Sequence, residues 1–308
     1  MRESDFIEWI RSQSRFDPAA VPVGPGDDCA IVMCGGEKLL ITTDQLLDGV
    51  HVVLREHGAF QAGRKAMARN LSDVAAMAAT PLAAVATVAF PRDFSRADAE
   101  QLYQGLRSLD KDLPCPIVGG DVGVWSGPLA ITVTVFARPA GIRQILRSGA
   151  KVGDAVCVTG AFGGAWKGQR HLTFTPRVKE ARTLASRHEL HAMIDVSDGL
   201  VRDLGHICKA SGVGAEIYAE KVPIHPELQA GGAEPQALLE AALQEGEDYE
   251  LLFALPADEA DQLLESQPLG VKVSRIGAIV EGKDLTLVHP DGKRQPCRPK
   301  GWEHETSG

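Results

Sequence analysis

The sequence predicts an α/β protein of two domains, and three observations support this fold class. Short apolar segments of strand length alternate along the chain with longer segments whose apolar residues recur at helical spacing. The 308 residues are enough for two domains of ordinary size. A segment rich in glycine, with one proline, at residues 138–153 predicts a boundary, with one domain over 1–138 and the other over 139–308.

In the first half, periodicity and capping residues define the elements in order. Ser95 is of a type favoured at helix N-caps, and LAITVTVFA alternates as a strand with one buried face should. Helices are predicted over 4–13, over the alanine-rich segment 62–79, and from Ser95 to Leu109. Strands are predicted over 38–43, which ends at Asp44, over 82–90, over 116–118, which runs into Gly119-Gly120-Asp121, and over 129–137.

The second half continues the alternation. Helices are predicted near Pro176 and from Leu200, and a further helix and strand fill 257–280. Strands are predicted over 155–159, 191–194, 215–219 and 249–254.

Composition excludes several classes of function. The net charge of −9 and the pI near 5.5 disfavour a nucleic-acid backbone binder, which needs a basic face. A chain this acidic that handles phosphates needs cations held by its own carboxylates. The uncharged segment 74–90 is interrupted by Pro81 and indicates a buried helix followed by a buried strand, not a membrane span.

The cysteines and the first residues point to a reducing compartment. The six cysteines are scattered without a CxxC pair, which disfavours both a disulfide framework and a zinc site. MRESDFIEWIRSQ has no apolar core of signal-peptide length. We therefore expect a cytoplasmic protein with no membrane partner.

Familiar nucleotide-binding and catalytic motifs are absent. The sequence contains no GxxxxGK[ST], no GxGxxG after a strand, no protein-kinase set and no GxSxG elbow. His188 and His191 are three residues apart without a neighbouring ligand, so a solvated helix end is favoured over a metal site.

The positive signal is a series of aspartates at the ends of apolar segments. Each alone has an ordinary interpretation as a turn residue or helix cap. Together, carboxylates brought close to one another repel and stay ionised only with cations between them. The all-oxygen donor set suits Mg²⁺, which in proteins usually completes its shell with phosphate oxygens. We therefore expect a nucleotide substrate. The segments are Gly24-Pro25-Gly26-Asp27-Asp28, Thr42-Thr43-Asp44, Asn70-Leu71-Ser72-Asp73, Gly119-Gly120-Asp121 and Asp195-Val196-Ser197-Asp198-Gly199.

These segments, with others, resemble the thiamine-monophosphate kinase family of the aminoimidazole ribonucleotide synthetase superfamily. The similar blocks span about residues 5–302 in the family's order. They are GDDCA (26–30), TTD (42–44), ARNLSDVAAMAATP (68–81), GGD (119–121), RSGAKVGD (147–154), VTG (158–160), DVSDGL (195–200) and GEDYELLF (246–253). The resemblance implies a two-domain aminoimidazole ribonucleotide synthetase-like fold. An N-terminal domain forms the dimer sheet or barrel, and an α/β C-terminal domain completes the site. It also implies ATP bound without a P-loop, and a homodimer.

The resemblance also implies roles for residues of this sequence. Positions matching the family's Mg²⁺ ligands are Asp28, Thr42, Thr43, Asp44, Asp73, Asp121, Asp195 and Asp198. Positions matching its ATP contacts are Tyr103, Gly120, Asp121, Arg147 and Ser197. Positions matching its substrate contacts are His51, Glu247 and Trp302.

Four of these residues keep an ordinary structural alternative. Tyr103 could be a buried helix residue, and Trp302 could anchor the tail. His51 could be a satisfied strand histidine, and Glu247 could lie in a solvated turn.

One segment departs from the family pattern. Residues 161–176, AFGGAWKGQRHLTFTP, are shorter than the family's stretch, and HLTFTPR resembles a degraded form of its HLRPxPR-like motif. The departure concerns the structure of the second domain near 161–180 and not the metal ligands.

The implied activity is Mg²⁺-dependent transfer of the γ-phosphoryl group of ATP to thiamine monophosphate, with no nucleophilic side chain and no general base. The alternatives within the superfamily are selenophosphate synthetase-like and hydrogenase maturation-like activities. The first needs a reactive cysteine in a Gly-rich N-terminal stretch, and the second needs a cysteine at the C-terminus, where this chain has Thr306-Ser307-Gly308. A non-catalytic Mg-nucleotide-binding protein is the alternative of another class.

Overall fold

The chain forms two mixed β-sheets, one from each half, in a computed structural model that describes residues 3–139 and 141–300. The first sheet has the order β1-β2-β5-β3-β4 and the second β12-β11-β8-β10-β6-β9-β7. The predicted α/β fold class is confirmed. The strands are β1 (Ala30–Cys34), β2 (Glu37–Leu47), β3 (Thr80–Pro91), β4 (Ile117–Trp125), β5 (Ala130–Arg138), β6 (Ala155–Thr159), β7 (Ala192–Asp195), β8 (Gly214–Tyr218), β9 (Leu251–Leu255), β10 (Val273–Val280), β11 (Leu285–Val288) and β12 (Arg294–Pro296).

The helices cover both sheets. They are α1 (Glu3–Gln13), α2 (Leu54–Ala76), α3 (Arg96–Leu106), α4 (Arg170–Thr173), α5 (Val178–Arg187), α6 (Leu200–Ser211), α7 (Pro226–Gln229), α8 (Pro235–Gln244) and α9 (Ala257–Ser266), with a 3₁₀ turn at Ala219–Lys221. Ser95 caps α3 as predicted, because its hydroxyl accepts a hydrogen bond from the Asp98 amide at 3.1 Å. No helix in the described ranges is both long and apolar enough to cross a membrane.

Strand β5 sets which side chains of the first sheet face the core. Val133 and Val135 are fully buried, and they pair with Asp44 and Thr42 of β2. Because residues opposite one another in a sheet share a face, Thr42 and Asp44 point toward the core and toward α2. Thr43 points the other way, and its hydroxyl donates to the Val133 carbonyl at 3.2 Å.

Helix α2 lies between the two halves of the molecule. It packs on β2 and β5 on one side and on α4, α5 and β7 on the other. One continuous apolar core therefore contains residues of both halves, among them Leu71, Val135 and Leu184. The helix begins eight residues before the predicted 62–79 segment, with a kink at Gly58, and it ends at Ala76.

Two predicted strand ends are wrong. Strand β2 continues through Asp44 to Leu47, and β4 runs from Ile117 to Trp125. Gly119-Gly120-Asp121 is therefore not a turn after a short strand but the middle of an edge strand. A side chain at Gly120 would collide with the Ala86 carbonyl of the neighbouring β3, which explains the glycine there.

The second sheet places the DVSDGL segment. Strands β6, β7 and β9 are buried along their whole lengths, because helices cover this sheet on its faces. Asp195 is the last residue of β7, and the following loop leads directly into α6. The sequence did not predict several elements of this half, namely α4, α7, α8, β11 and β12, nor β1 in the first half.

Helices α2 and α3 approach so closely that we expect an added methyl group to destabilise the protein. A Cβ at Gly105 would meet the Phe60 carbonyl, and one at Gly63 would meet the Leu102 carbonyl. We expect Gly105→Ala to lower the free energy of unfolding by about 2 kcal/mol, as overpacking does. Urea unfolding measures this. Gly270→Ala is the matched control, because nothing lies within 4 Å of its added Cβ. Equal stability of the two variants would contradict the close packing of α2 on α3.

Candidate active site

Three carboxylates, two buried and one partly buried, meet where the two halves of the chain face each other. Asp28 precedes β1, Asp73 lies in the last turns of α2, and Asp195 ends β7. Each offers a carboxylate oxygen, and these oxygens lie within 4.8 Å of one another. The cluster borders a cleft of about 920 Å³. The sequence predicted all three as metal ligands, and tertiary packing brings them together.

Residues in one turn of α2 tie this cluster to both sheets. The Asn70 amide oxygen accepts from the Asp44 backbone amide at 3.1 Å. The Ser72 hydroxyl donates to Asp195 at 2.5 Å, and Asp73 accepts from the Thr42 hydroxyl at 2.5 Å. Because successive helical residues point about 100° apart, one turn of α2 contacts β2 and β7 together. The segment NLSD is therefore the structural connection between the two halves of the site.

The cluster carries more negative charge than its surroundings compensate. Burial, followed by the charges of Asp44, Asp195 and Asp28, raises the pKa of Asp73 well above its usual range. Burial and the charge of Asp28 raise the pKa of Asp195 to about 7, although the Ser72 hydroxyl and Arg147 oppose the shift. Buried carboxylates that cannot ionise alone ionise when a cation sits among them. The donor set of carboxylate and hydroxyl oxygens fits Mg²⁺.

Arg147 supplies part of the missing positive charge. Its guanidinium binds Asp28 through two contacts, Nη2 to Oδ1 at 2.7 Å and Nε to Oδ2 at 3.2 Å. Its backbone amide donates to the carboxylate of Asp27 at 3.1 Å. Burial and the charge of Asp28 nevertheless raise the pKa of Asp27 to about 6. Arg147, predicted as an ATP contact, thus lies at the mouth of the carboxylate cluster.

The other end of the cleft has compensated charges. Lys65 is fully buried, and its ammonium contacts the Glu247 carboxylate, the His51 carbonyl at 2.6 Å and His171 Nδ1 at 2.8 Å. Burial opposes ionisation of Glu247, but the neighbouring His171 and the charges of Lys65 and Arg69 outweigh it and lower its pKa to about 2. The alternative that Glu247 lies in a solvated turn is therefore wrong.

His51 lines the cleft beside this pair. Its Nδ1 accepts from the Leu47 amide at 3.0 Å, which in a neutral imidazole puts the proton on Nε2. The ring is thus oriented by the backbone and borders the cleft, so the alternative of a satisfied histidine and the predicted substrate contact are compatible.

The second cluster in the DVSDGL region differs from the first. Asp198, Asp203 and His206 offer ligand atoms within 4.8 Å of one another, and the Asp198 amide donates to Asp203 at 3.1 Å. Burial lowers the pKa of His206 to about 4 and raises that of Asp203 well above its usual range. Asp198 therefore lies in a group that contains an imidazole nitrogen, which the all-oxygen prediction did not include.

Most of the predicted site residues border the cleft. The lining contains Asp28, Thr42, Thr43, Asp44, His51, Asp73, Arg147, Ser197, Asp198 and Glu247.

Three predicted residues lie elsewhere, and one is outside the described residues. Asp121 lies in register with Thr87 and Gln45 across the first sheet, and this row of side chains faces away from α2. Its strand β4 is also three strands away from β2, which is about 14 Å at ordinary strand spacing. Gly120 lies beside it. Tyr103 is on α3 with 48% of its surface exposed, so the alternative of a buried helix residue is wrong. Trp302 lies outside the described residues.

Several residues of the site were not predicted individually. Lys65, Arg69 and Trp166 all border or support the cleft. The resemblance marked the block ARNLSDVAAMAATP, but only the packing of α2 shows which of its side chains face the two sheets. Nothing in the sequence near Lys65 or Trp166 distinguishes them from surface residues.

Comparisons with known proteins agree with this geometry. The N-terminal domain of AIR synthase related proteins matches residues 26–138, and the C-terminal domain of the same family matches residues 151–290. The chain belongs to the AIR synthase related family. The family prediction made from the sequence is confirmed.

Relatives within the AIR synthase related family match nearly the full chain. A thiamine-monophosphate kinase from Rhodopirellula baltica is 38% identical, covering 98% of this chain and 97% of that protein. The structure of AaThiL complexed with AMPPCP and TMP has a TM-score of 0.84 at 31% identity, covering 99% of this chain and 97% of that one. The structure of thiamine-monophosphate kinase from Stenotrophomonas maltophilia has a TM-score of 0.75 at 32% identity, covering 94% and 95%.

We expect Mg²⁺ to stabilise the folded protein through the carboxylate cluster. A cation that binds only the folded state raises the melting temperature, here by roughly 5 °C at saturating concentration. Asp73→Asn should lose most of this shift. Without metal, the variant should melt no lower than the wild type, because the substitution removes a negative charge that the surrounding residues do not compensate. Thermal melts with Mg²⁺ and with chelator measure both effects. The exposed Asp93→Asn variant is the control, and an unchanged Mg²⁺ shift in Asp73→Asn would contradict the assignment.

We expect the Lys65–Glu247 pair to contribute strongly to stability. Glu247→Gln leaves a buried ammonium without its counter-charge, which costs about 3 kcal/mol. The double variant Lys65→Met/Glu247→Gln should lose less than the sum of the two single variants. Free energies of unfolding in urea test this. Glu8→Gln, which breaks an exposed pair with Lys209, should cost less than about 1 kcal/mol. A loss in Glu247→Gln as small as in Glu8→Gln would show that the buried pair is not formed.

Proposed function

We propose that this protein is a thiamine-monophosphate kinase that transfers the γ-phosphoryl group of ATP to thiamine monophosphate and releases thiamine diphosphate and ADP. The observation that carries the proposal is one cleft lined by ten of the predicted ligand and contact residues, among them Asp28 and Asp73 of the carboxylate cluster. Its support is the full-length similarity to proteins of that name and to a structure that holds AMPPCP and TMP.

The main requirement of this reaction is that the protein positions two anions next to each other. The acceptor oxygen already carries negative charge, so no side chain has to remove a proton from it. When bound, Mg²⁺ supplies the positive charge that screens the repulsion between the triphosphate and the acceptor phosphate. Phosphoryl transfer then depends on alignment and on electrostatic stabilisation, for which no covalent phospho-enzyme is required.

We assign the carboxylate end of the cleft to the phosphates. The proposed Mg²⁺ ligands are Asp28, Thr42, Thr43, Asp44, Asp73, Asp195 and Asp198. Asp195 belongs to the carboxylate cluster but not to the lining of the cleft, and Thr43 lines the cleft although its hydroxyl donates to the Val133 carbonyl. Arg147, which now pairs with Asp28, would turn toward the triphosphate when cations occupy the cluster, because both compete for the same carboxylate. Ser197 also lines the cleft. Tyr103, Gly120 and Asp121 lie on α3 and β4, outside the lining of this cleft, and the sequence resemblance alone supports them as proposed ATP and metal contacts.

We assign the opposite end, around His51 and Glu247, to thiamine monophosphate. The Glu247 carboxylate is already bound by Lys65, so it acts on the acceptor as half of an ion pair and not as an isolated anion. The imidazole of His51 is among the groups that line this part of the cleft. Trp302 remains a proposed acceptor contact from the C-terminal segment.

We also propose a homodimer formed through the first sheet. Strand β4 is an edge strand, and Val118, Val122 and Val124 each expose about two thirds of their surface, at 65–66%. An unpaired edge with exposed apolar side chains is a common site of chain association. The proposed domains remain 1–138 for dimerisation and metal binding, and 139–308 for completing the site. A cytoplasmic location fits the use of ATP.

Cysteine chemistry does not favour the selenophosphate synthetase-like alternative. Among the described residues that line the cleft there is no cysteine. Cys29, the nearest to the metal-binding segment, is buried, and burial together with the charges of Asp73 and Asp28 raises the pKa of its thiol well above the usual range. A thiol held in its protonated form is a poor nucleophile.

Product analysis tests the function directly. With MgATP, the protein should convert thiamine monophosphate to thiamine diphosphate with one ADP formed per product, and it should not phosphorylate thiamine itself. Asp44→Asn should lower kcat by about 100-fold or more, the scale of losing one strong electrostatic stabiliser, while Asp93→Asn should not. Chromatography of the products measures each rate. If ample MgATP yields no thiamine diphosphate, the assignment is wrong.

A further inference from the structure

The segment that departs from the family pattern reaches the cleft. After β6 the chain turns through Gly163 and Gly164, both in the left-handed region with φ of 86° and 74°. These turns bring Trp166 into the lining of the cleft. The residue keeps 44% of its surface exposed.

The indole is held in place by the buried group around Lys65. It stacks on the imidazole of His171, with ring centroids 4.2 Å apart and planes at 19°. The Lys65 ammonium lies 5.1 Å from the indole centroid. His171 is fully buried and is itself bound to Lys65 at 2.8 Å. The supporting side chains are therefore fixed, and the exposed part of the indole faces the cleft on a rigid backing.

The charges behind the indole are balanced. Burial lowers the pKa of His171, so its imidazole is neutral at physiological pH. The Lys65 ammonium is in contact with the Glu247 carboxylate. The indole therefore has no net positive charge behind it, and carboxylates of Glu245 and Glu247 lie in the same lining. This end of the cleft is suited to a flat ring that carries positive charge.

We propose that Trp166 forms the aromatic wall of the acceptor subsite and determines the preference for a cationic heteroaromatic acceptor by stacking with its ring. The inference rests on the proposed function, because the thiazolium of thiamine monophosphate is such a ring. Indole is the best of the side-chain rings for binding a cation, and the interaction strengthens when water is excluded. Trp166 is a specificity residue in this assignment and takes no part in phosphoryl transfer.

Equilibrium binding to the full-length protein tests the proposal without turnover. Thiamine monophosphate with Mg²⁺, and separately MgAMPPCP, are titrated calorimetrically into the wild type and into Trp166→Ala, Trp166→Leu and Trp166→Phe. We expect Ala and Leu to weaken binding of thiamine monophosphate about tenfold, and Phe only about threefold, since an aromatic face remains. The Kd for MgAMPPCP should stay within about twofold. Trp9→Ala, which removes an exposed tryptophan stacked on Phe6, is the matched control.

Tryptophan fluorescence tests the proposal even if the Trp166→Ala and Trp166→Leu variants fold poorly. A chain that retains Trp166 as its single tryptophan, with Trp9, Trp125 and Trp302 each replaced by phenylalanine, should show quenching by thiamine monophosphate. Inorganic phosphate should cause none. This background also separates the contribution of Trp166 from that of Trp302.

The outcomes distinguish the proposal from the function on which it rests. If the wild type binds no thiamine monophosphate, the proposed function fails and the aromatic wall fails with it. If the wild type binds it but Trp166→Leu binds as well as Trp166→Phe, only the aromatic wall is overturned, and Trp166 serves to cover His171. Equal weakening of thiamine monophosphate and MgAMPPCP binding would likewise overturn it, because a loss of that kind reflects the fold of the cleft.

Discussion

Uncompensated negative charge at the centre of the molecule is the constraint on which the rest of the structure depends. Taking a carboxylate out of water without a partner is among the costliest changes in folding. Here Asp28 and Asp195 are buried beside the partly buried Asp73. Two hydroxyl groups and Arg147 offset part of the cost, and the raised pKa values of Asp73 and Asp195 report the rest. A site built in this way gains stability and becomes more fully ionised when cations bind, which couples folding to the chemistry we propose.

Helix α2 is the element that makes this arrangement possible. Its side chains must contact β2 and β7 at once, so the helix is enclosed by both halves and has no large solvent face in its last turns. Close packing on all sides favours small residues, and Gly63 lies directly against the backbone of α3. The close packing of α2 between the two halves therefore explains both its alanine and glycine content and the fixed positions of the carboxylates.

The two ends of the cleft differ in how their charges are balanced. At the phosphate end, charge is left for a cation to compensate. At the other end, Lys65 and Glu247 neutralise each other in a buried pair, and the aromatic rings of His171 and Trp166 stack beside them. An acceptor with a phosphate at one end and a charged ring at the other matches this division. The asymmetry would give each of the two anionic substrates that we propose a defined orientation in one cleft.

The sequence by itself determined the fold class, the family and most of the proposed ligands, because the aspartate segments keep their spacing and their adjacent apolar strands. It placed Asp195 at the end of a strand and Ser95 at a helix N-cap, since these depend on neighbouring residues alone. The predictions from sequence were wrong where the position of a residue depends on partners distant in the chain. Asp121 lies inside an edge strand because β3 pairs along all of β4.

Only the tertiary structure decided that Lys65, separated from Glu247 by 182 positions, is its buried partner, and that Trp166 reaches the cleft. These contacts join segments far apart in the chain, and local pattern carries no information about which distant charge or ring a side chain will meet.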